Sequence, residues 1–488
     1  MTSRCEPDQE TDSDEARTTE AREGSPSPRG AHAAPSTGRS GFIRALRTTP
    51  PGLSRFWRRF LVAVVIVQVL LIAGLATTTA FRFHYFAPTD EEAHYSYIQQ
   101  IAEHGTLPVL GKTETSLQGL AIFQGKYPQP TTIDPKHFGL GGLSYEAFQP
   151  PLYYYAAVPA FSLTSNFVDK IYAVRLFDVG LLLAAAALAG RLTRAVLKDR
   201  WMIGWSMIMV FLALPGVVVR VVTISNGALA LPLTILFATE LWIAWDRHSP
   251  RRLAVAGALG GLCVLTELEL VVLLPVFALV VVAEARRRAL RAWGPLFIAA
   301  AIPLVLMAPW FYFNHVHYGM LTAGPIAIKE QTPIINPGHF HYSLRELPNE
   351  TAVNLTDPTL PAEWALTLEN QPGLTYLSQL LDVLIVPAGL VLILALGRRL
   401  WSIRSSILGL PWLFQMFEMW YIRYAEQWNI YVRYTYPTLP LLLTLVAMAT
   451  DTFRARYLPI LITTGATVSV GLIWGFLLFG YHGPFALR

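Results

Sequence analysis

Long apolar runs alternate with short basic clusters along most of the chain. Phe60 to Ala80 and Ile460 to Leu478 are uncharged runs of about the 20 residues that a bilayer-spanning helix needs. The clusters between runs are Arg191/Arg194/Lys198/Arg200, Arg247/Arg251/Arg252, Arg286/Arg287/Arg288, Arg398/Arg399/Arg404 and Arg454/Arg456. Lys and Arg collect on the cytoplasmic side of membrane proteins, so neighbouring clusters must be separated by an even number of crossings.

That parity decides two stretches. LYYYAAVPAFSL, from Leu152, has about twelve residues and contains Pro159, too little to cross. The run Ile171 to Gly190 already returns the chain, so the tyrosine-rich piece is expected to lie along the outer interface, where Tyr rings are favoured. The second stretch is RRLAVAGALGGLCVLTELELVVLLPVFALVVVAEARRR, whose roughly thirty apolar residues lie between two basic clusters and must go out and return. Its turn falls at Thr266-Glu267-Leu268-Glu269, and the short halves allow the tip to sit below the outer surface. The expected fold is an all-α polytopic membrane protein of about eleven spanning helices. Residues 54–480 form the transmembrane domain, with juxtamembrane helices in outward loops at about 81–170 and 314–375. A short tail, 481–488, ends outside.

Composition agrees with this reading. Of 488 residues, 53% are hydrophobic and 15% charged, against about a quarter charged in soluble domains. The net charge of +5 adds little. Residues 1–53 are rich in Ser, Pro, Gly, Thr and charge, and are expected to be a disordered cytoplasmic tail. They lack the order of regions of a cleaved signal peptide, and Arg55, Arg58 and Arg59 place the N-terminus inside. Cys5 and Cys263 cannot plausibly pair, and no zinc-type spacing occurs. No internal repeat is evident, which weakens a transporter built from inverted halves. Of the eleven histidines, only His32 and His248 fall on the expected inside, so polar chemistry concentrates on the other face.

PTDEEAHYSYIQQIAEHG, from Pro88, carries the candidate chemistry. Thr89-Asp90-Glu91-Glu92 fits a capping box, with Thr89 as N-cap, Glu92 reaching back to its amide, and a helix running to about Glu103 before Gly105. Acids in a first turn also complement the helix dipole. That accounts for Glu92 and Glu91 but does not require Asp90, a carboxylate placed to accept a proton at the membrane border. Ala93, Tyr97 and Ile101 form a stripe suited to the outer boundary. His94, one turn on, either contacts substrate or is a polar surface residue. Glu267 and Glu269 either face a cavity at membrane depth or form a solvated turn. Tyr153, Tyr154 and Tyr155 can stack on a sugar or form an interface belt. Asn314, at a helix exit after Pro309-Trp310, can bond sugar hydroxyls. Arg433, in NIYVRYTYP, offers a forked donor for phosphate or snorkels at the interface; Arg423 and Arg220 are weaker candidates. His315/His317 and His339/His341 would share a face in extended chain, as zinc ligands can. No nearby acid completes either pair, and neither metal nor cofactor is expected. The sequons at Asn349 and Asn354 matter only in a secretory pathway.

The order of these pieces is informative. One N-terminal helix is followed by PTDEEAHY, GTLPV and QPPLYYY, then by GGLCVLTEL, APWFYFNHVHYG and RYTYPTLP. Over residues 55 to 450 the chain resembles the GT-C superfamily of polytopic glycosyltransferases, especially the bacterial protein-mannosyltransferase and lipid A aminoarabinose-transferase type. The resemblance implies a sugar donor on a polyprenyl phosphate and extracytoplasmic transfer with inversion at the anomeric carbon. It implies that Asp90 is the catalytic base, with Glu91 as helper, and that Arg433, with Arg423, binds donor phosphate. The chain departs from the family at Gln149, where His often stands, at Glu267, where many members have Lys, and at Gly227, where Asp follows Asn. The expected activity is an inverting membrane glycosyltransferase of the plasma membrane. Its partners would be the lipid bilayer, a polyprenyl-phosphate sugar and an extracytoplasmic glycan, lipid or protein acceptor, with no nucleic acid. The rival readings are a flippase or transporter using Asp90, Glu267 and Glu269, and a non-catalytic relative serving as an assembly subunit.

Overall fold

A computed structural model describes residues 55–82, 90–119, 144–288, 293–327, 402–425, 432–452 and 458–479. All belong to one unit, Thr49–Arg488. The expected tail at 1–53, most of the 314–375 loop, the following span, both sequons, His339, His341 and the 481–488 tail lie outside the described residues. All regular structure among those residues is helical.

The order is α1 (Arg55–Arg82), α2 (Glu91–His104), a 3₁₀ turn (Tyr145–Phe148), α3 (Leu152–Phe161), α4 (Phe167–Leu197), α5 (Trp201–Leu212), α6 (Pro215–Val222) and α7 (Gly227–Arg247). Then come α8 (Pro250–Val264), α9 (Leu273–Arg286), α10 (Gly294–Tyr318), α11 (Ile403–Ala425), α12 (Leu439–Thr452) and α13 (Leu458–Phe479). Among the described residues, five helical stretches are long and apolar enough to cross a membrane: Arg55–Arg82, Phe167–Leu212, Gly227–Arg247, Leu268–Arg286 and Gly294–Tyr318. The second is a hairpin rather than one rod. Lys198 breaks the helix with a positive φ (φ 51°, ψ −113°) between α4 and α5, and the Trp205 indole donates back to the Ala186 carbonyl (2.7 Å).

In α1, Leu61, Val65, Ile72, Ala76 and Ala80 are buried, whereas Ile66, Val67 and Leu70 are exposed. One apolar face therefore packs on protein and the other is left for lipid, as an intramembrane helix requires. Gln68 is a wholly buried polar residue on this helix. Its amide donates to the Ser206 carbonyl (3.2 Å) and to Thr467 Oγ1 (2.9 Å), and accepts from the Ser206 hydroxyl (3.0 Å). A polar side chain among apolar helices is tolerated when neighbours satisfy it, and here it ties α1 to α5 and α13.

Among the described residues, several arginines of the basic clusters are paired with acids. Glu240 pairs with both Arg191 and Arg252. Glu284 meets His248 (2.8 Å) and Arg288 (3.3 Å), and Arg404 pairs with Asp246 (2.7 Å). The break between α8 and α9 falls where apolar length requires it, with Glu267 extended (φ −147°, ψ 121°) and 3% exposed.

Two expectations need correction. α3 is short, but Tyr153 and Tyr154 are fully buried and only Tyr155 is exposed, so the cluster is not an interface belt. α2 is buried from Glu91 to Ile98 and again at Ile101, so it lies beneath protein instead of presenting a stripe to a membrane boundary.

Close approach of α8 to α10 depends on glycine. A Cβ on Gly257 would lie 2.6 Å from the Ala299 carbonyl oxygen and 2.9 Å from Phe277, and one on Gly261 3.0 Å from Pro303 Cα. This small-residue spacing lets helix backbones touch in lipid. Gly257→Ala should therefore cost about 1–3 kcal/mol by overpacking. In thermal unfolding of the solubilised protein it should lower the midpoint, whereas Gly74→Ala, with nothing within 4 Å, should not.

Candidate active site

Asp90 sits just before α2 in the left-handed region (φ 58°, ψ 31°), a conformation that Asp tolerates better than most residues. Its carbonyl accepts from the Ala93 and His94 amides (3.0 and 3.1 Å), which starts the helix. Its carboxylate makes no capping bond. Thr89, the expected N-cap, lies outside the described residues, and Asp90 stands at the N-cap position instead. Gly105 (φ 68°) ends the helix with its amide on the Ile101 carbonyl.

One hydroxyl joins the two acids. The Tyr145 oxygen lies 2.6 Å from Glu92 Oε1 and 3.1 Å from Asp90 Oδ1. Asp90 is partly exposed, but Glu92 is 1% exposed and its Oε2 has no partner. Burial, helped by the charge on Asp90, pushes the Glu92 carboxyl up to about 8. Burial also raises the Tyr145 phenol well above its ordinary range, reinforced by Asp90 and Glu92.

Glu91, expected as a helper in the chemistry, has a different place. It is wholly buried, and a buried Arg175 on α4 forks onto it, Nε to Oε1 at 2.7 Å and Nη2 to Oε2 at 2.6 Å. The Ile224 amide also donates to Glu91 Oε1 (3.2 Å), and Arg175 Nη1 donates to the Ala80 carbonyl (3.2 Å). The pair thus joins the end of α1, the start of α2, α4 and the segment after α6. Three residues beyond Arg175, Asp178 accepts from the Tyr153 hydroxyl at 3.0 and 3.1 Å.

A ring stack forms the next layer. Tyr97 lies flat on Tyr154 (3.7 Å, 9°), and the Tyr154 hydroxyl is 2.8 Å from His94 Nδ1. Tyr97 donates to the Gln149 carbonyl (3.2 Å), while Asn226 donates to Gln149 Oε1 and to the Thr266 carbonyl (both 3.3 Å). The Leu152 amide donates to the Leu265 carbonyl (2.9 Å). α2, α3, α7 and the break after α8 are thereby held in one frame.

Above this frame opens a cleft. Asp90, His94, Glu146, Gln149 and Glu267 line it with Arg220, Asn226, Gly227, Tyr434, Tyr436 and Pro437. Asp90, His94 and Glu267 are therefore brought together, along with all three positions of family departure. Arg433 belongs to a 3₁₀ turn, Val432–Thr435, immediately before Tyr434, and Arg423 belongs to α11; their side chains lie outside the described residues. Tyr153, Tyr154 and Asn314 are buried and are not part of the cleft lining. Asn314 donates to the Leu321 carbonyl (3.1 Å). His315 and His317 end helix α10, where residues two apart point to different sides. No group of three metal-binding side chains occurs among the described residues.

Arg175, Tyr145 and Glu146 were missed from sequence. Arg175 alone carried a signal, as a charge inside a long apolar helix. The partly exposed acid, the lining guanidinium and the aromatic rim can together accept a proton and hold an anion.

No family model and no curated protein matches the chain. Similar solved structures include ArnT from Cupriavidus metallidurans bound to undecaprenyl phosphate, with 15% identity over 88% of this chain and 67% of that chain, TM-score 0.49. The same protein in the apo state gives 14%, 86%, 66% and 0.48. The archaeal oligosaccharyltransferase AglB from Archaeoglobus fulgidus, in complex with an inhibitory peptide and a dolichol-phosphate, gives 15%, 86%, 56% and 0.43. The chain spans about two thirds of the length of ArnT and just over half of the oligosaccharyltransferase.

Removing one partner of a buried ion pair strands the other charge and costs about 3–5 kcal/mol. Arg175→Ala should destabilise by that much in detergent unfolding. Arg175→Lys should recover only part, because an ammonium cannot fork onto both oxygens. Unchanged unfolding of Arg175→Ala would contradict this role.

Proposed function

We propose that the chain is an inverting membrane glycosyltransferase, moving a sugar from a polyprenyl-phosphate donor to an extracytoplasmic glycan, lipid or protein. The observation that carries this reading is the position of Asp90. Its carboxylate is free of capping duty and lines one cleft with Arg220 and with Tyr434, the residue after Arg433. The motif order, which resembles GT-C transferases, supports it independently.

In this mechanism the donor enters laterally between helices, and Arg433 and Arg220 hold its phosphate through forked donors. The acceptor hydroxyl comes from the other side. Its oxygen attacks the anomeric carbon as Asp90 takes its proton. The bond from that carbon to the phosphate oxygen breaks, and its electron pair leaves with the polyprenyl phosphate. Guanidinium groups stabilise the charge that develops on the leaving oxygen. Arranging acceptor, carbon and phosphate in line supplies much of the rate. His94, buried and bonded to Tyr154, and the rings of Tyr434 and Tyr436 form the sugar-facing lining.

A second reading has its own observation. Gln149, Gly227 and Glu267, the positions of family departure, all line the cleft. That concentration favours an altered donor, and it also fits a flippase or a non-catalytic assembly subunit.

The test supplies purified protein with labelled polyprenyl-phosphate sugars and crude envelope acceptors. Asp90→Asn keeps the side-chain shape and tolerates the left-handed backbone, so a loss reports on the carboxylate. Transfer should fall about 10²–10⁴-fold. Equal transfer by parent and variant rejects Asp90 as base, and lipid movement across vesicles without covalent transfer favours the transport reading.

A further inference from the structure

From the contacts of Tyr145 with two carboxylates we infer that Glu92, in its protonated form, is a positioning residue that aims the Tyr145 hydroxyl at Asp90. This rests on the proposed role of Asp90 as base.

A phenol has one hydrogen, yet the Tyr145 oxygen is within hydrogen-bond distance of Glu92 Oε1 (2.6 Å) and Asp90 Oδ1 (3.1 Å). It can donate to only one of them. If both acids were ionised, that hydrogen would go to the nearer Glu92, and Asp90 would face an oxygen lone pair. If Glu92 is neutral, its own O–H donates to the phenol oxygen and the phenol donates to Asp90. Both short contacts are then satisfied by one directed chain. Burial favours this second state, because an ionised Glu92 would stand beside another anion with Oε2 unpartnered.

The surrounding charges agree. On its own segment Glu92 faces Asp90 and Glu91, with His94 half a turn on. The 3₁₀ turn contributes Tyr145 and Glu146, and α3 contributes Tyr154. Arg175 on α4 forks onto Glu91, and Arg220 lines the cleft with Asp90. Among the described residues no cation contributes to the shift at Glu92, whose proton is retained through neutral pH and lost as pH rises through about 8. The chain then reverses. Glu92 releases its proton to solvent, Tyr145 swings its hydrogen to the new carboxylate, and Asp90 loses the bond that fixes Oδ1. Below that pH, Oδ1 is held by the Tyr145 hydroxyl, which fixes the orientation of the Asp90 carboxylate.

The experiment has two readouts on the full-length protein. The first is infrared titration of protonated carboxyl, taken as the difference between parent and Glu92→Gln. A band assigned to Glu92 should be present at neutral pH and vanish near pH 8. In Asp90→Asn its midpoint should move down, because a neighbouring negative charge has been removed. The second is the pH profile of transfer. The parent's kcat should fall about tenfold per pH unit well above 8. Glu92→Gln, whose amide can donate to the phenol at every pH, should lose that alkaline limb. Tyr145→Phe should lower kcat more than it changes KM. Absence of the band at neutral pH overturns the inference whether or not the protein transfers sugar. So does an alkaline limb that persists unchanged in Glu92→Gln. If the band titrates as described but no donor is turned over, the positioning of Asp90 stands and the transferase reading fails.

Discussion

The buried fork between Arg175 and Glu91 is the constraint on which the rest of the site depends. Two charges removed from water are tolerated only when their geometry and hydrogen bonds are nearly complete. Here both carboxylate oxygens meet guanidinium nitrogens, an amide from the segment after α6 adds a third bond, and the arginine also reaches the end of α1. Four parts of the chain are fixed by one pair. With Glu91 held inward, the helical rotation of about 100° per residue sends Glu92 toward Tyr145. Asp90, outside the helix, is left at the cleft. Three consecutive acids thus receive three separate tasks: anchoring, positioning and, in the proposed reaction, proton transfer.

The cleft is also a consequence of broken helices. Backbone that leaves helical form at membrane depth must line protein or a cavity. The interruption between α8 and α9 does so, placing Glu267 beside Asn226 and Gln149. The 3₁₀ turn that contains Tyr434 adds to the lining of the same cleft. At the other end of these helices, among the described residues, Arg191 and Arg252 share Glu240, Arg288 meets Glu284 and Arg404 meets Asp246. One end is locked by ion pairs, and the other is open around acids and aromatic rings.

What was legible in the sequence was local. Apolar run length located the break after α8, the shortness of α3 and the extent of α1, and the glycine stop placed the end of α2 at Gly105. Asp90 was singled out because local capping did not need it. What failed depended on distant partners. Glu92 satisfies a capping-box pattern, yet a tyrosine 53 positions away competes for it. Glu91 looked like a dipole-complementing acid until Arg175, 84 positions on, was brought beside it. Tyr153 and Tyr154 resemble a membrane belt in composition, but Asp178 and His94 give their hydroxyls buried partners. The His315/His317 pair was judged as extended chain, and the helix extends through it.

The central claim is that sugar, phosphate and acceptor meet in the cleft beside Asp90. The most direct measurement is an experimental structure of the protein with a non-transferable polyprenyl-phosphate sugar. Phosphate density is expected against Arg433 and Arg220, and the anomeric carbon between that phosphate and Asp90, with room for an acceptor oxygen about 3–3.5 Å from the carbon. Phosphate bound outside the cleft, or on the same side of the sugar as Asp90, would contradict it.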